Sequence, residues 1–154
     1  MKVFIGADHR GQKFKKKIIK ILETDGYVVV DQGALSEDVP SDYPKIAARV
    51  GTSVVKTKNS RGILLCMSGV GISIAANKVF GVRAALCHNI EAARLSREHN
   101  NANVLVLASK FMKMKDLPKM LRVWLSTSFE GGRHARRVNQ IRKIEKENLK
   151  LRKK

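Results

Sequence analysis

The chain has 154 residues, 44% of them hydrophobic, which is enough for one sizeable core and excludes a wholly disordered chain. Its net charge of +18 sits beside only 5% aromatic residues, so basic runs lack the stacking platforms of a dedicated nucleic-acid interface. No apolar run reaches the roughly 18 residues of a membrane span, the start MKVFIGADHRG turns polar too soon for a signal peptide, and Cys66 and Cys87 make no disulfide framework.

The expectation is a soluble, cytoplasmic, single domain. Arg133–Lys154 holds ten basic and two acidic residues, and the remaining charge is spread over Lys-rich helices such as 13–20. That distribution reads as a solvated basic face.

Apolar runs of strand length alternate with segments of helical period. Lys2–Ala7 is the first strand, followed by the Phe14, Ile18, Ile21, Leu22 stripe of an amphipathic helix. Tyr27–Asp31 is the second strand. A helix starting at Ser41-Asp42 then carries Ile46, Val50 and Val54. Strand three, Gly62–Cys66, leads into a small-residue helix over Ile72–Lys78, and strand four spans Val82–Cys87. A further helix precedes strand five, Val104–Ala108. Asp116 then caps a helix bearing Met120, Leu121, Trp124 and Leu125. The Val138, Ile141, Ile144 stripe predicts a last helix, ending in a frayed basic tail over Lys150–Lys154. Repeated βα units of this kind imply a parallel five-stranded sheet covered on both faces.

Ligands of such sheets bind outside the carboxyl ends of the strands. Strand one exits into Asp8-His9-Arg10-Gly11, strand three into Cys66-Met67-Ser68-Gly69-Val70-Gly71, and strand four into His88-Asn89. Gly69 and Gly71 allow a sharp turn that exposes N–H groups to an anion at the start of a helix. The loop is not the dinucleotide fingerprint, because Ile74 stands at the third glycine, and it contains no P-loop motif. A thiol beside such a turn is a usable base or nucleophile, although Cys66 also reads as a buried, inert strand-end cysteine. Asp8-His9 suits hydroxyls or a phosphate, and Asp8 equally suits a helix N-cap. His99-Asn100-Asn101 reads as a polar loop. Arg133 and Arg137 share a helix face at a spacing that fits either a phosphate clamp or a solvated surface. Cys87 reads only as a small buried residue. The histidines lack ligand spacing and have few carboxylates near them in sequence, so no metal site is expected. A base, an anion hole, an imidazole and an arginine pair together suit proton transfer beside the carbonyl of a phosphorylated small molecule.

The blocks GADHRG (6–11), LLCMSGVGISIAANK (64–78), GVRAALCH (81–88), SREHNNANVLVLAS (96–109) and FEGGRHARRV (129–138) resemble the ribose-5-phosphate isomerase B family. That family includes the galactose-6-phosphate isomerase subunits, and the similarity runs collinearly from residue 1 to about 145. It implies a Rossmann-like α/β/α sandwich over 1–149 with a basic tail at 150–154. It also implies a dimer or tetramer, and cofactor-free interconversion of D-ribose 5-phosphate and D-ribulose 5-phosphate.

On matching positions, the resemblance makes Cys66 the base that moves a proton between C1 and C2. Ser68 would bond the reacting oxygens, and backbone N–H groups of Gly69, Val70 and Gly71 would hold the enediolate. His99 would open the sugar ring, Asp8 would hold hydroxyls, and Asn100 would assist. His9, Arg133 and Arg137 would hold the phosphate.

Three positions depart from the family pattern. Met67 replaces a usual glycine and would be strained if the backbone there were left-handed. Lys110 replaces a phosphate-binding Arg, keeping charge but losing the bidentate fork. Asn101 replaces an Asp beside His99.

Because His99 follows a helix and precedes strand five, it belongs at the amino edge of the sheet, opposite Cys66. The expected site is therefore shared between two chains. The other readings are an isomerase of galactose or allose 6-phosphate, and a non-enzymatic polyanion-binding protein. Retention of Cys66, His99 and both arginines leans toward the pentose.

Overall fold

The computed structural model describes residues 1–151 apart from 35, 37, 39 and 40. Five strands, β1 (Lys2–Ala7), β2 (Val28–Asp31), β3 (Ser60–Cys66), β4 (Ala84–Leu86) and β5 (Val104–Ala108), form one sheet in the order β2-β1-β3-β5-β4. All four pairings are parallel. Six helices surround it: α1 (Gln12–Thr24), α2 (Tyr43–Lys56), α3 (Val70–Ala76), α4 (Ile90–Glu98), α5 (Leu117–Ser126) and α6 (Gly132–Leu151). The expected α/β architecture is the observed one.

Side chains alternate across each strand, so the sheet has two apolar faces. Val3, Ile5, Ile63, Leu65, Leu105 and Leu107 pack with α1, α4 and α5. Phe4, Leu64, Val104 and Val106 pack with α2 and α3 on the other side. Gly6 lets α2 approach closely, since a Cβ there would stand 2.6 Å from Ile46 Cγ2 and 2.9 Å from Val50 Cγ2. Trp124 is fully buried and donates its indole N–H to Ser96 Oγ at 3.1 Å.

Several boundaries differ from expectation for local reasons. β4 spans three residues and starts two later than expected, where the Asn103 side chain accepts the Arg83 N–H at 2.7 Å. α3 begins two residues early, at Val70 after the left-handed N-cap Gly69, and ends where Lys78 and Val79 N–H groups turn back on Ala75 and Ala76 carbonyls. Asp42 and Asp116 occupy N-cap positions without making a side-chain cap, and a proline fills the first turn of both helices. In α6 only His134 and Val138 are buried, whereas Ile141 and Ile144 are 47% and 58% exposed, so the predicted stripe does not join the core. The helix also continues through Lys150 and Leu151, where a frayed tail was expected, and 152–154 lie outside the described residues. No described helix is long and apolar enough to cross a membrane.

Candidate active site

The register sets Ala7 beside Leu65 and Cys66 beside Ala108, so β1, β3 and β5 end side by side. The chain leaves β1 and β3 toward opposite sides of the sheet, which opens a crevice at that switch. Lys110 N–H donates to Met67 O at 3.1 Å, bringing Lys110 to the same edge, where its ammonium rests 5.9 Å from the Phe111 ring centre.

Asp8 is buried, and its Oδ1 accepts the Gly11 N–H at 3.0 Å, closing a 3-10 turn over His9–Gly11. The capping role thus coexists with placement in the crevice. His9 is held reciprocally by Ser41: its N–H donates to Ser41 Oγ at 3.1 Å, and its Nδ1 accepts the Ser41 N–H at 3.3 Å. With Nδ1 accepting, neutral His9 carries its proton on Nε2, as a donor for an anion.

Cys66 is buried, and its Sγ accepts the Gly69 N–H at 3.1 Å. Gly69 has φ +77°, and a Cβ there would lie 2.4 Å from Leu86 Cδ1, so only glycine fits. Met67 is not left-handed, because the positive-φ non-glycine residues among those described are Asn59 and Asn101. The strain expected at Met67 is therefore absent, and its sulfur instead accepts Arg10 Nη1 at 3.2 Å. Ser68 Oγ accepts the Val70 N–H at 3.4 Å, and the Gly71 N–H lies in the first helical turn, which has no intrahelical acceptor. The Tyr43 ring covers Gly71, where a Cβ would stand 2.8 Å from its hydroxyl oxygen. Sequence reasoning missed Tyr43 and Ser41, since both read as an ordinary helix start.

The remaining candidates gather at the amino edge. His99 ends α4, and its ring stacks on His134 at 4.1 Å between centroids, 4° from parallel. Glu130 Oε2 lies 3.3 Å from His134 Nε2 and 3.9 Å from His99 Nε2. Arg133 Nε donates to His134 Nε2 at 3.3 Å, and Arg137 lies one turn further along α6. Burial, then the charges of His99 and Arg133, hold His134 below the ordinary histidine value, only partly opposed by Glu130. Asn100 is exposed beside His99. Asn101, at φ +47°, turns its side chain to Arg97 Nη1 at 3.0 Å.

Glu130 and His134 were missed as site residues, although Glu130 and His134 stand four apart. Contrary to the sequence reading, a carboxylate does sit with two histidines. Their ligand atoms lie within 4.8 Å of one another. Parallel rings do not converge their lone pairs, and Arg133 already occupies His134 Nε2, so the group is poorly arranged for a cation. β3, with seven residues at about 3.3 Å each, separates the two edges by roughly 20 Å. One chain therefore brings Asp8, His9, Cys66–Gly71 and Lys110 together, and His99, Asn100, Arg133 and Arg137 elsewhere.

Fold and site define a doubly wound parallel α/β protein with a thiol and an anion-binding turn at the sheet's switch point. The model of the Ribose/Galactose Isomerase family matches residues 3–141, and the chain belongs to that family. It is 41% identical to ribose-5-phosphate isomerase B of Escherichia coli, over 94% of this chain and 96% of that protein. The solved ribose-5-phosphate isomerase B of Clostridium thermocellum superposes with a TM-score of 0.92 at 44% identity, covering 96% of this chain and 99% of the other. The Mycoplasma genitalium enzyme, solved with bound ribulose-5-phosphate, gives 0.90 at 44% identity, covering 95% and 97%.

Proposed function

We propose that the chain is a cofactor-free aldose–ketose isomerase that interconverts D-ribose 5-phosphate and D-ribulose 5-phosphate. The observation that carries this reading is the buried Cys66 sulfur, held by the Gly69 N–H at the mouth of the glycine turn. A thiolate there takes the proton from C2 of the open-chain aldose and returns it to C1. C2 is oxidised as C1 is reduced, so no external oxidant enters. Ser68 exchanges protons with O1 and O2, and the N–H groups of Gly69, Val70 and Gly71 stabilise the enediolate. Asp8 holds sugar hydroxyls.

The phosphate needs more positive charge than His9 and Lys110 supply, and ring opening needs an acid–base group. A two-fold dimer supplies both when its partner presents His99, Asn100, Arg133 and Arg137 across the interface. The 20 Å separation within one chain supports that arrangement. So do the exposed apolar residues Val70 and Ile74 on α3 and Ile141 and Ile144 on α6, which a second copy would cover. Residues 1–149 then act as one isomerase domain.

A coupled assay of ribulose 5-phosphate formation, run in parallel on five- and six-carbon sugar phosphates, tests the reading. Turnover of ribose 5-phosphate well above that of allose or galactose 6-phosphate is expected. Turnover of a six-carbon phosphate alone, or of neither, overturns it.

A further inference from the structure

Next to the amino-edge group, but lined by none of His99, Asn100, Arg133 or Arg137, lies a cavity of about 710 Å³ between β3, β4 and α6. Arg61, Arg83 and Arg142 line it, and none of the described lining residues is acidic. The Glu145 carboxylate, whose charge acts on Arg83, accepts the Gly81 N–H at 2.7 Å. Arg61 Nε is buried without a hydrogen-bond partner, an expensive state for a cationic donor. Behind this row, Arg97 is buried and bonds only neutral acceptors: Asn101 Oδ1, Ala102 O and Thr127 O.

The arginines also work against one another. Burial, then the charges of Arg61 and Arg83, push Arg97 down to about 10. Burial lowers Arg83 as well, helped by Arg142 and Arg61 and opposed only by Glu145. A solvated basic face would spread its charges apart, whereas these converge on one concavity.

We propose that Arg61, Arg83 and Arg142 form a second anion site, which takes a small molecule bearing a pyrophosphate or similarly paired phosphates. A single phosphate carries about −1.5 to −2 at pH 7, short of three guanidiniums, and the cavity holds more than one such group. The site is independent of the isomerase reading, because it shares no residue with Cys66, His9, Arg133 or Arg137.

The test is calorimetric titration of inorganic pyrophosphate into the full chain at fixed ionic strength. Arg83 is left intact, since its Nε holds the Asn101 carbonyl at 3.0 Å. Arg61→Gln/Arg142→Gln should weaken binding by about tenfold or more, the scale of lost charge-assisted hydrogen bonds. Arg142→Glu, a change at an exposed position of α6, should weaken it at least as much. An equal-charge control, Lys16→Gln/Lys119→Gln, should bind as wild type, and Arg133→Ala/Arg137→Ala should retain the binding that the Arg61 and Arg142 changes remove. Unchanged binding in the Arg61 and Arg142 variants overturns the proposal. Equal weakening in the lysine control also overturns it, by assigning the binding to diffuse charge. Loss in the Arg133/Arg137 variant overturns it by assigning the pyrophosphate to the substrate's phosphate site.

Discussion

The two edges of the sheet hold their polar side chains by different means. At the carboxyl edge the main chain does the holding: Gly11 N–H fixes Asp8, Ser41 N–H fixes His9, and Gly69 N–H fixes Cys66. At the amino edge side chains hold one another, as His99 stacks on His134 between Glu130 and Arg133. The Gly11 and Gly69 donors lie within four residues of strand ends and Ser41 just before α2, so the main chain orients the first group. The second group is presented by a helix end and a helix start, and fits the needs of a neighbouring molecule. On the shared-site proposal, the contrast divides the work: chemistry at one edge, completed by groups that a partner delivers from the other.

The strongest way to break that comparison is to disable one edge in each of two chains. Cys66→Ala should lower kcat by about 10²–10⁴-fold, the range for a general acid–base group. His99→Ala should cripple turnover of the cyclic sugar to a similar degree. Co-refolded, the two variants should recover roughly a quarter of wild-type activity, because half of the statistical mixture then holds one intact composite site of two. Heterodimers that form yet stay inactive would place His99 within its own chain's chemistry or outside it altogether.

Arg137→Ala sharpens the same contrast. Phosphate binding energy also orients the distant carbonyl, so kcat/KM for ribose 5-phosphate should fall roughly ten- to a hundredfold. Unphosphorylated ribose should be far less affected. Equal losses on both sugars would remove the phosphate role.

Much of this was legible in the sequence, and unevenly so. β1 and β5 matched their apolar runs residue for residue, because strands buried on both faces leave no ambiguity of period. The edge strand β4 was overcalled at both ends; at its start a side-chain amide 20 residues away in sequence takes the Arg83 N–H. Cys66 and the glycine turn were readable because their chemistry lies within six consecutive residues. Ser41, Tyr43 and Glu130 were not, since each matters only through a contact that the fold creates. Lys15 makes the same point from the other side. In a run that reads as solvated lysines it is buried, bonded to Asp31 Oδ1 at 2.9 Å and Ala34 O at 2.7 Å. Period alone does not tell which lysine of KFKKK faces inward to find a carboxylate.

A smaller effect probes how far the carboxyl edge depends on its backbone geometry. Gly69→Ala forces a Cβ onto a left-handed residue and into Leu86 Cδ1. A cost of about 1–3 kcal/mol is expected, read as a lowered thermal midpoint. The displaced N–H groups should reduce kcat on the order of tenfold, with KM for the phosphate nearly unchanged. A fully active Gly69→Ala protein would show that the turn does not hold the reacting oxygens.

The smallest effect is expected at the second cysteine, which directly follows β4, whereas Cys66 is the last residue of β3. The two thiols share one edge but face opposite layers of the core. Cys66 sits against a backbone N–H donor, whereas Cys87 packs among apolar side chains, its Sγ 3.6 Å from the Ala85 carbonyl. Burial pushes the Cys87 thiol up to about 11, with only a slight opposing contribution from Ser96. At neutral pH it is therefore protonated and poor as a nucleophile. Iodoacetamide should modify one thiol per chain, at Cys66, with loss of activity that substrate retards. Cys87→Ala should leave kcat/KM within about twofold of wild type, since this thiol touches no reacting group. It should cost on the order of 1 kcal/mol of stability, the transfer energy of a group about the size of one methylene. Peptide mapping checks the site of modification. Equal labelling of both cysteines would mean that environment does not separate them, and the special role of the Cys66 turn would fall with that difference.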